Sequence, residues 1–125
     1  MKQLLIVDDS VTMRRMVKVS LRALENTAFE EAGNGLEALE RLALTSIDLM
    51  ILDLNMPDMH GLEVLKFIRK HQTFHHIPVI VLTTRGDEAN RAATLEAGAS
   101  FYLTKPFEPK VLAEQVQKLL TRPIG

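Results

Sequence analysis

Short apolar runs and segments of helical period alternate along this chain from end to end. Leu4-Leu5-Ile6-Val7 stops abruptly at Asp8-Asp9, the pattern of a buried strand. Ser10 follows in an N-cap position, and Met13, Val17, Leu21 and Leu24 recur on one face of the helix it would start. Arg14, Arg15, Lys18 and Arg22 fall mostly on the other side and read as a solvated face. Thr27 to Ala32 is a weaker strand ended by the turn signal Asn34-Gly35, and Leu36, Leu39 and Leu42 mark a second helix. Ile47 to Leu52 is nearly all apolar and stops at Asp53, after which a loop with Pro57 and Gly61 leads into a helix striped by Leu62, Leu65 and Ile68. Pro78 introduces Val79-Ile80-Val81-Leu82, which stops at Thr83. Asp87 can cap a helix running to Ala97, closed by Gly98. A last strand, Ser100 to Leu103, precedes Lys105-Pro106, and Leu112, Val116, Leu119 and Leu120 stripe a final helix.

Five βα units with continuous apolar strands predict a parallel sheet covered by helices on both faces. Right-handed crossovers leave few windings, and the expectation is a doubly wound, flavodoxin-like (βα)5 sheet of order 2-1-3-4-5. A length of 125 residues suits one domain, and 46% hydrophobic residues supply its core. The expected division is a domain over residues 1–121 and a tail or linker stub over 122–125.

Charge and cysteine content narrow the function. Fifteen Lys and Arg against sixteen Asp and Glu provide no net field for direct nucleic-acid binding, and there is no cysteine for a disulfide or a thiolate metal site. The apolar runs are strand-sized, far short of the roughly 20 residues that span a bilayer, so the expectation is a cytoplasmic domain without membrane insertion.

The polar residues that interrupt the apolar pattern share one kind of position. Asp8 and Asp9 end the first strand, Asp53 the third and Thr83 the fourth, and Lys105 follows the fifth. In a parallel sheet those ends lie on one edge, where open α/β folds place ligands. In the expected order strands 1 and 3 are neighbours, so three carboxylates converge and repel unless a cation lies between them. Oxygen ligands without His or Cys suit Mg²⁺, or Mn²⁺ as a relative. Three carboxylates, one ammonium and one divalent cation sum to zero, which admits an anion. Lys105 and the Thr83 hydroxyl are donors suited to phosphoryl oxygens, and a carboxylate beside the metal can act as nucleophile to give an acyl phosphate. Thr84 shares the chemistry of Thr83.

At these residues the chain resembles the receiver domains of two-component response regulators, most of all the chemotaxis type. The matching pieces are Asp8-Asp9-Ser10, Thr12-Met13-Arg14-Arg15, Leu52-Asp53-Leu54-Asn55-Met56-Pro57, Gly61-Leu62-Glu63, Val81-Leu82-Thr83, Ala97-Gly98-Ala99-Ser100, Tyr102 and Lys105-Pro106-Phe107, in order over essentially the whole chain. The resemblance implies that Asp53 accepts a phosphoryl group from a histidine kinase or phosphotransfer protein. It implies that Asp9, Asp53 and the Asn55 backbone carbonyl ligate Mg²⁺, with Asp8 acting mainly through a water on the metal. Lys105 would bind the phosphoryl group and precede a cis peptide to Pro106. Thr83 and Tyr102 would form the switch pair, and a downstream target would bind the face of helix 4, strand 5 and helix 5. Arg85, two positions after the switch threonine, falls at a variable site that tunes dephosphorylation in such domains.

The same residues suit other readings less well. A haloacid-dehalogenase-type phosphatase also uses Asp, Mg²⁺, Thr or Ser and Lys, but places its nucleophile after the first strand as Asp-x-Asp, where this chain has Asp-Asp-Ser. A phosphate-independent adaptor is disfavoured by the complete acidic set. His71 and His75 have metal-ligand spacing and adjoin His76, yet their polar stretch before Pro78 reads as a solvated loop. The expected function is therefore a signalling switch rather than an enzyme, with catalysis limited to its own phosphorylation and dephosphorylation.

Overall fold

The computed structural model describes residues 1–56, 59–84 and 91–121. Pro57, Arg85, Asp87 and the proposed tail at 122–125 lie outside the described residues. The strands are β1 (Lys2–Val7), β2 (Thr27–Ala32), β3 (Leu49–Asp53), β4 (Val79–Thr84) and β5 (Phe101–Lys105). The helices are α1 (Val11–Leu21), α2 (Gly35–Leu44), α3 (Gly61–Lys70), α4 (Arg91–Glu96) and α5 (Pro109–Leu120). All strand pairs are parallel and the order is β2-β1-β3-β4-β5, as the crossover argument required.

Strand alternation divides the core in two. Leu5, Val7, Met50, Leu52, Val79 and Val81 point to one face, where Ala38 and Leu42 of α2 and Val64, Leu65 and Ile68 of α3 cover them. Leu4, Ile6, Leu49, Ile51, Ile80 and Leu82 point to the other, beneath Val17 and Leu21 of α1 and Leu112 and Val116 of α5. Because both faces are packed, central strands read as unbroken apolar runs rather than alternating ones.

Several boundaries differ from the sequence reading. β3 starts at Leu49, because Ile47 lies in the approach and Asp48 turns back to accept from the Gln3 amide through Oδ2 at 2.8 Å. Asp53 ends β3 as expected, whereas β4 runs one residue past Thr83 and β5 reaches Lys105, since pairing continues through Thr83–Thr104 and Thr84–Lys105. In α2 the inward face is Gly35, Ala38 and Leu42, while Leu36 is 63% exposed. Asn34 sets this phase, because its side chain accepts from the Glu37 amide and makes Gly35 the first helical residue. Leu24 lies beyond the end of α1, although it still packs on the core below.

Candidate functional site

Register builds the acidic pocket. Val7 of β1 pairs with Leu52 of β3, so Asp8 leaves its strand beside Asp53. Asp8 is held on every side: its amide donates to Ala32 O at 3.0 Å, its Oδ1 accepts from the Ser10 amide at 2.9 Å, and its Oδ2 accepts from Lys105 Nζ at 2.8 Å. Asp9, the next residue, is exposed. One carboxylate oxygen each from Asp8, Asp9 and Asp53 lie within 4.8 Å of one another. Lys105 Nζ, at the end of β5, also reaches Asp53 Oδ1 at 3.4 Å, and the Asn55 amide donates to that oxygen at 3.3 Å.

Asp53 is only 4% exposed. Burial pushes its pKa above the ordinary carboxylate value; Lys105 opposes this, and the charge of Asp8 adds to it. A divalent cation would draw it the other way. The donor set fits such an ion: three carboxylates, no sulfur or imidazole, and a spacing that side-chain rotation can close around ligands at about 2.1 Å from Mg²⁺. Among the described residues no other cluster of three acidic, His or Cys groups could hold a metal.

The close approach of α3 frames the pocket floor. Gly61 donates to Leu54 O at 2.9 Å, and a Cβ on it would stand 2.3 Å from the Asp53 carbonyl oxygen. Thr83 is fully buried on β4, and Asn55 Nδ2 lies 3.4 Å from its hydroxyl and 3.3 Å from that of Thr84. Tyr102, on the edge strand β5, is turned inward at 6% exposure, in the same cluster as Met56 and Val81. The Arg91 guanidinium stands 5.7 Å from its ring centroid. The Lys105-Pro106 peptide is cis, as the resemblance implied.

Thus Asp8, Asp9, Asp53, Asn55, Thr83 and Lys105 meet at one edge, and Tyr102 lies on β5, two strands from Asp53 across β4. Two features escaped the sequence reading. Asn55 was singled out for its carbonyl, but its side chain also faces both threonine hydroxyls. Arg14 was assigned to a solvated face with Arg15 and Lys18, yet its side chain is only 15% exposed and pairs with Glu31. A charge on β2 opposite α1 was the available signal for that pair. His71 stacks on Phe74 at 4.2 Å between ring centroids and accepts from the Thr73 amide through Nδ1 at 3.0 Å. No helix among the described residues is long and apolar enough to cross a membrane.

Comparison with known proteins agrees with this geometry. Residues 4–117 match the response regulator receiver domain. Chemotaxis protein CheY1 of Helicobacter pylori is 43% identical over 119 residues, covering 94% of this chain and 96% of that protein. The transcriptional regulatory protein ResD of Bacillus subtilis is 41% identical over 120 residues, 96% of this chain but 48% of its own length. The crystallised chemotaxis protein CheY4 of Vibrio cholerae superposes with a TM-score of 0.84 at 34% identity, over 95% of this chain and 98% of that one.

Proposed function

The chain belongs to the response regulator receiver domain family, and on that premise we propose that it is a CheY-like switch phosphorylated on Asp53. The observation that carries this reading is a buried Asp53 held between two further carboxylates and the Lys105 ammonium, on one sheet edge. Residues 1–121 form the receiver in this reading, and 122–125 a tail or linker stub. It works in the cytoplasm as a signalling protein, with no turnover beyond its own phosphorylation and dephosphorylation.

In the transfer step a carboxylate oxygen of Asp53 bonds to the phosphorus of the donor. The bond from phosphorus to the donor's leaving atom breaks, and its electron pair departs with that atom. Asp53 must be ionised to attack. Lys105 favours that form and then meets the charge on the phosphoryl oxygens. Asp9, Asp53 and the Asn55 carbonyl, with Asp8 acting mainly through a water, would hold Mg²⁺, which would supply charge neutralisation for the incoming group; Mn²⁺ has the same preferences. The donor is a histidine kinase or phosphotransfer protein.

Output follows from the Thr83 hydroxyl moving toward the new phosphoryl group. That movement releases space on the Tyr102 side of β4 and biases an equilibrium between two arrangements of the edge strand. The target binds the face of α4, β5 and α5, around Arg91, Tyr102 and Lys118. Arg85, outside the described residues, tunes how long the phosphoryl group lasts.

Incubation with a small phosphodonor and Mg²⁺ tests the reading. One hydroxylamine-labile phosphoryl group should be added, and Asp53→Asn should abolish it. Label that persists in Asp53→Asn, or that resists hydroxylamine, overturns the assignment.

A further inference from the structure

The Asp8–Asp9 peptide is clamped from outside the pocket. Arg14, on the first turns of α1, donates through Nη1 to the Asp8 carbonyl oxygen and through Nε to Glu31 Oε1 at 2.9 Å. Glu31, on β2, takes its other contact from Lys18 Nζ at 2.7 Å. Lys18 and Arg14 hold the Glu31 carboxyl below its ordinary pKa against the effect of burial, so it stays ionised as the anchor of the clamp. The Asp8 carbonyl belongs to the peptide that leads into Asp9. With the Asp8 amide tied to Ala32 and its carboxylate to Ser10 and Lys105, Arg14 holds the remaining polar group of Asp8.

We propose that Arg14, oriented by Glu31, is a positioning residue for the acidic pocket: it sets the direction from which Asp9 enters and thereby the affinity for a divalent cation. The inference rests on the proposed Mg²⁺ site. The role is geometric rather than electrostatic, because Glu31 is shared between Arg14 at 2.9 Å and Lys18 at 2.7 Å and what Arg14 adds is the direction of its fork. Only a planar guanidinium presents two donors fixed in one fork, so lysine keeps the charge and loses the clamp.

Mg²⁺ titration followed by amide shifts, together with thermal unfolding in metal-free buffer, tests it. Arg14→Lys should weaken Mg²⁺ binding about 10-fold, the lower end of what outer partners of metal ligands contribute. It should also shift the Asp9 and Ser10 amides before any metal is added. Glu31→Ala should weaken binding in the same direction, Glu31→Gln should restore it because its amide oxygen still accepts from Nε, and Lys18→Ala should leave it unchanged. The double variant Arg14→Lys with Glu31→Ala should bind no more weakly than Arg14→Lys alone, since both break one clamp. A role in stability alone would lower the unfolding temperature and leave the affinity of the folded protein at the wild-type value, and that result overturns the inference. If wild type itself fails to bind Mg²⁺, the proposed site falls and this inference with it.

Discussion

Replacing Gly61 by alanine should disturb the phosphoacceptor strand more than any other single methyl added at the described glycines on the pocket side. The new Cβ would stand 2.3 Å from the Asp53 carbonyl oxygen and 2.7 Å from Leu54 Cα. Ordinary contact needs about 3.5 Å, so α3 or the Asp53 peptide must retreat by about 1 Å. Both obstacles are backbone atoms at the end of a buried strand, with no rotamer to absorb the shift. Overpacking of this kind costs about 1–3 kcal/mol, and the helix preference for alanine returns less than about 1 kcal/mol at a first-turn position. The net loss should be about 2 kcal/mol, equivalent to a fall of about 8 °C in Tm for a domain of this length. Gly35→Ala meets the Met59 side chain, at 2.6 Å from its Cβ, and should lose about 1 kcal/mol because part of that obstacle can rotate. Gly33→Ala has its nearest atoms at 3.5 and 3.6 Å and should stay within about 0.5 kcal/mol of wild type. Urea unfolding of the three variants measures the series. A Gly61→Ala protein as stable as wild type, or an order in which Gly33→Ala is the worst, would refute the close-approach reasoning.

Further predictions concern the pocket charges. Asp9→Ala should weaken Mg²⁺ binding and raise the unfolding temperature in metal-free buffer, because one of three converging carboxylates is gone; calorimetry with and without the ion checks this, and a drop in metal-free buffer would contradict it. The folded pKa of Asp53 lies above its ordinary 3.8, so ionised Asp53 lowers stability, increasingly as pH climbs through 3.8 and fully above the folded value. In metal-free buffer Asp53→Asn should therefore gain on wild type as pH rises above 3.8; a relative loss with rising pH would contradict it. Lys105→Ala should impair phosphorylation itself, whereas Thr83→Ala should accept the phosphoryl group and fail to pass the signal. Equal loss of phosphorylation in both would contradict this division of roles.

How much of this was legible beforehand depended on the kind of interaction. The strands were readable because both sheet faces are covered, which leaves Leu49 to Leu52 and Val79 to Leu82 as unbroken apolar runs. The pocket was readable because Asp8, Asp9, Asp53 and Lys105 interrupt such runs, and a parallel sheet brings those interruptions to one edge. Strand ends were less so: Thr84 and Lys105 remain in the ladder because their neighbours pair, and backbone pairing has no signature in residue type. The phase of α2 depended on Asn34 as its cap rather than on the leucine spacing, so Leu36 was misplaced inward. Arg14 and Glu31 lie 17 positions apart and meet only because α1 packs beside β2. A helical wheel of α1 alone assigns Arg14 to solvent.

The central claim is that the carboxylate of Asp53 forms an acyl phosphate, and borohydride trapping addresses it at the level of one residue. Hydride reduces an aspartyl phosphate to homoserine, which peptide mass spectrometry locates in the chain. After treatment with phosphodonor and Mg²⁺, homoserine should replace aspartate at position 53, while Asp8 and Asp9 remain unchanged. Homoserine at position 8 or 9, or aspartate intact at position 53 in a protein that has taken up phosphate, would contradict the account.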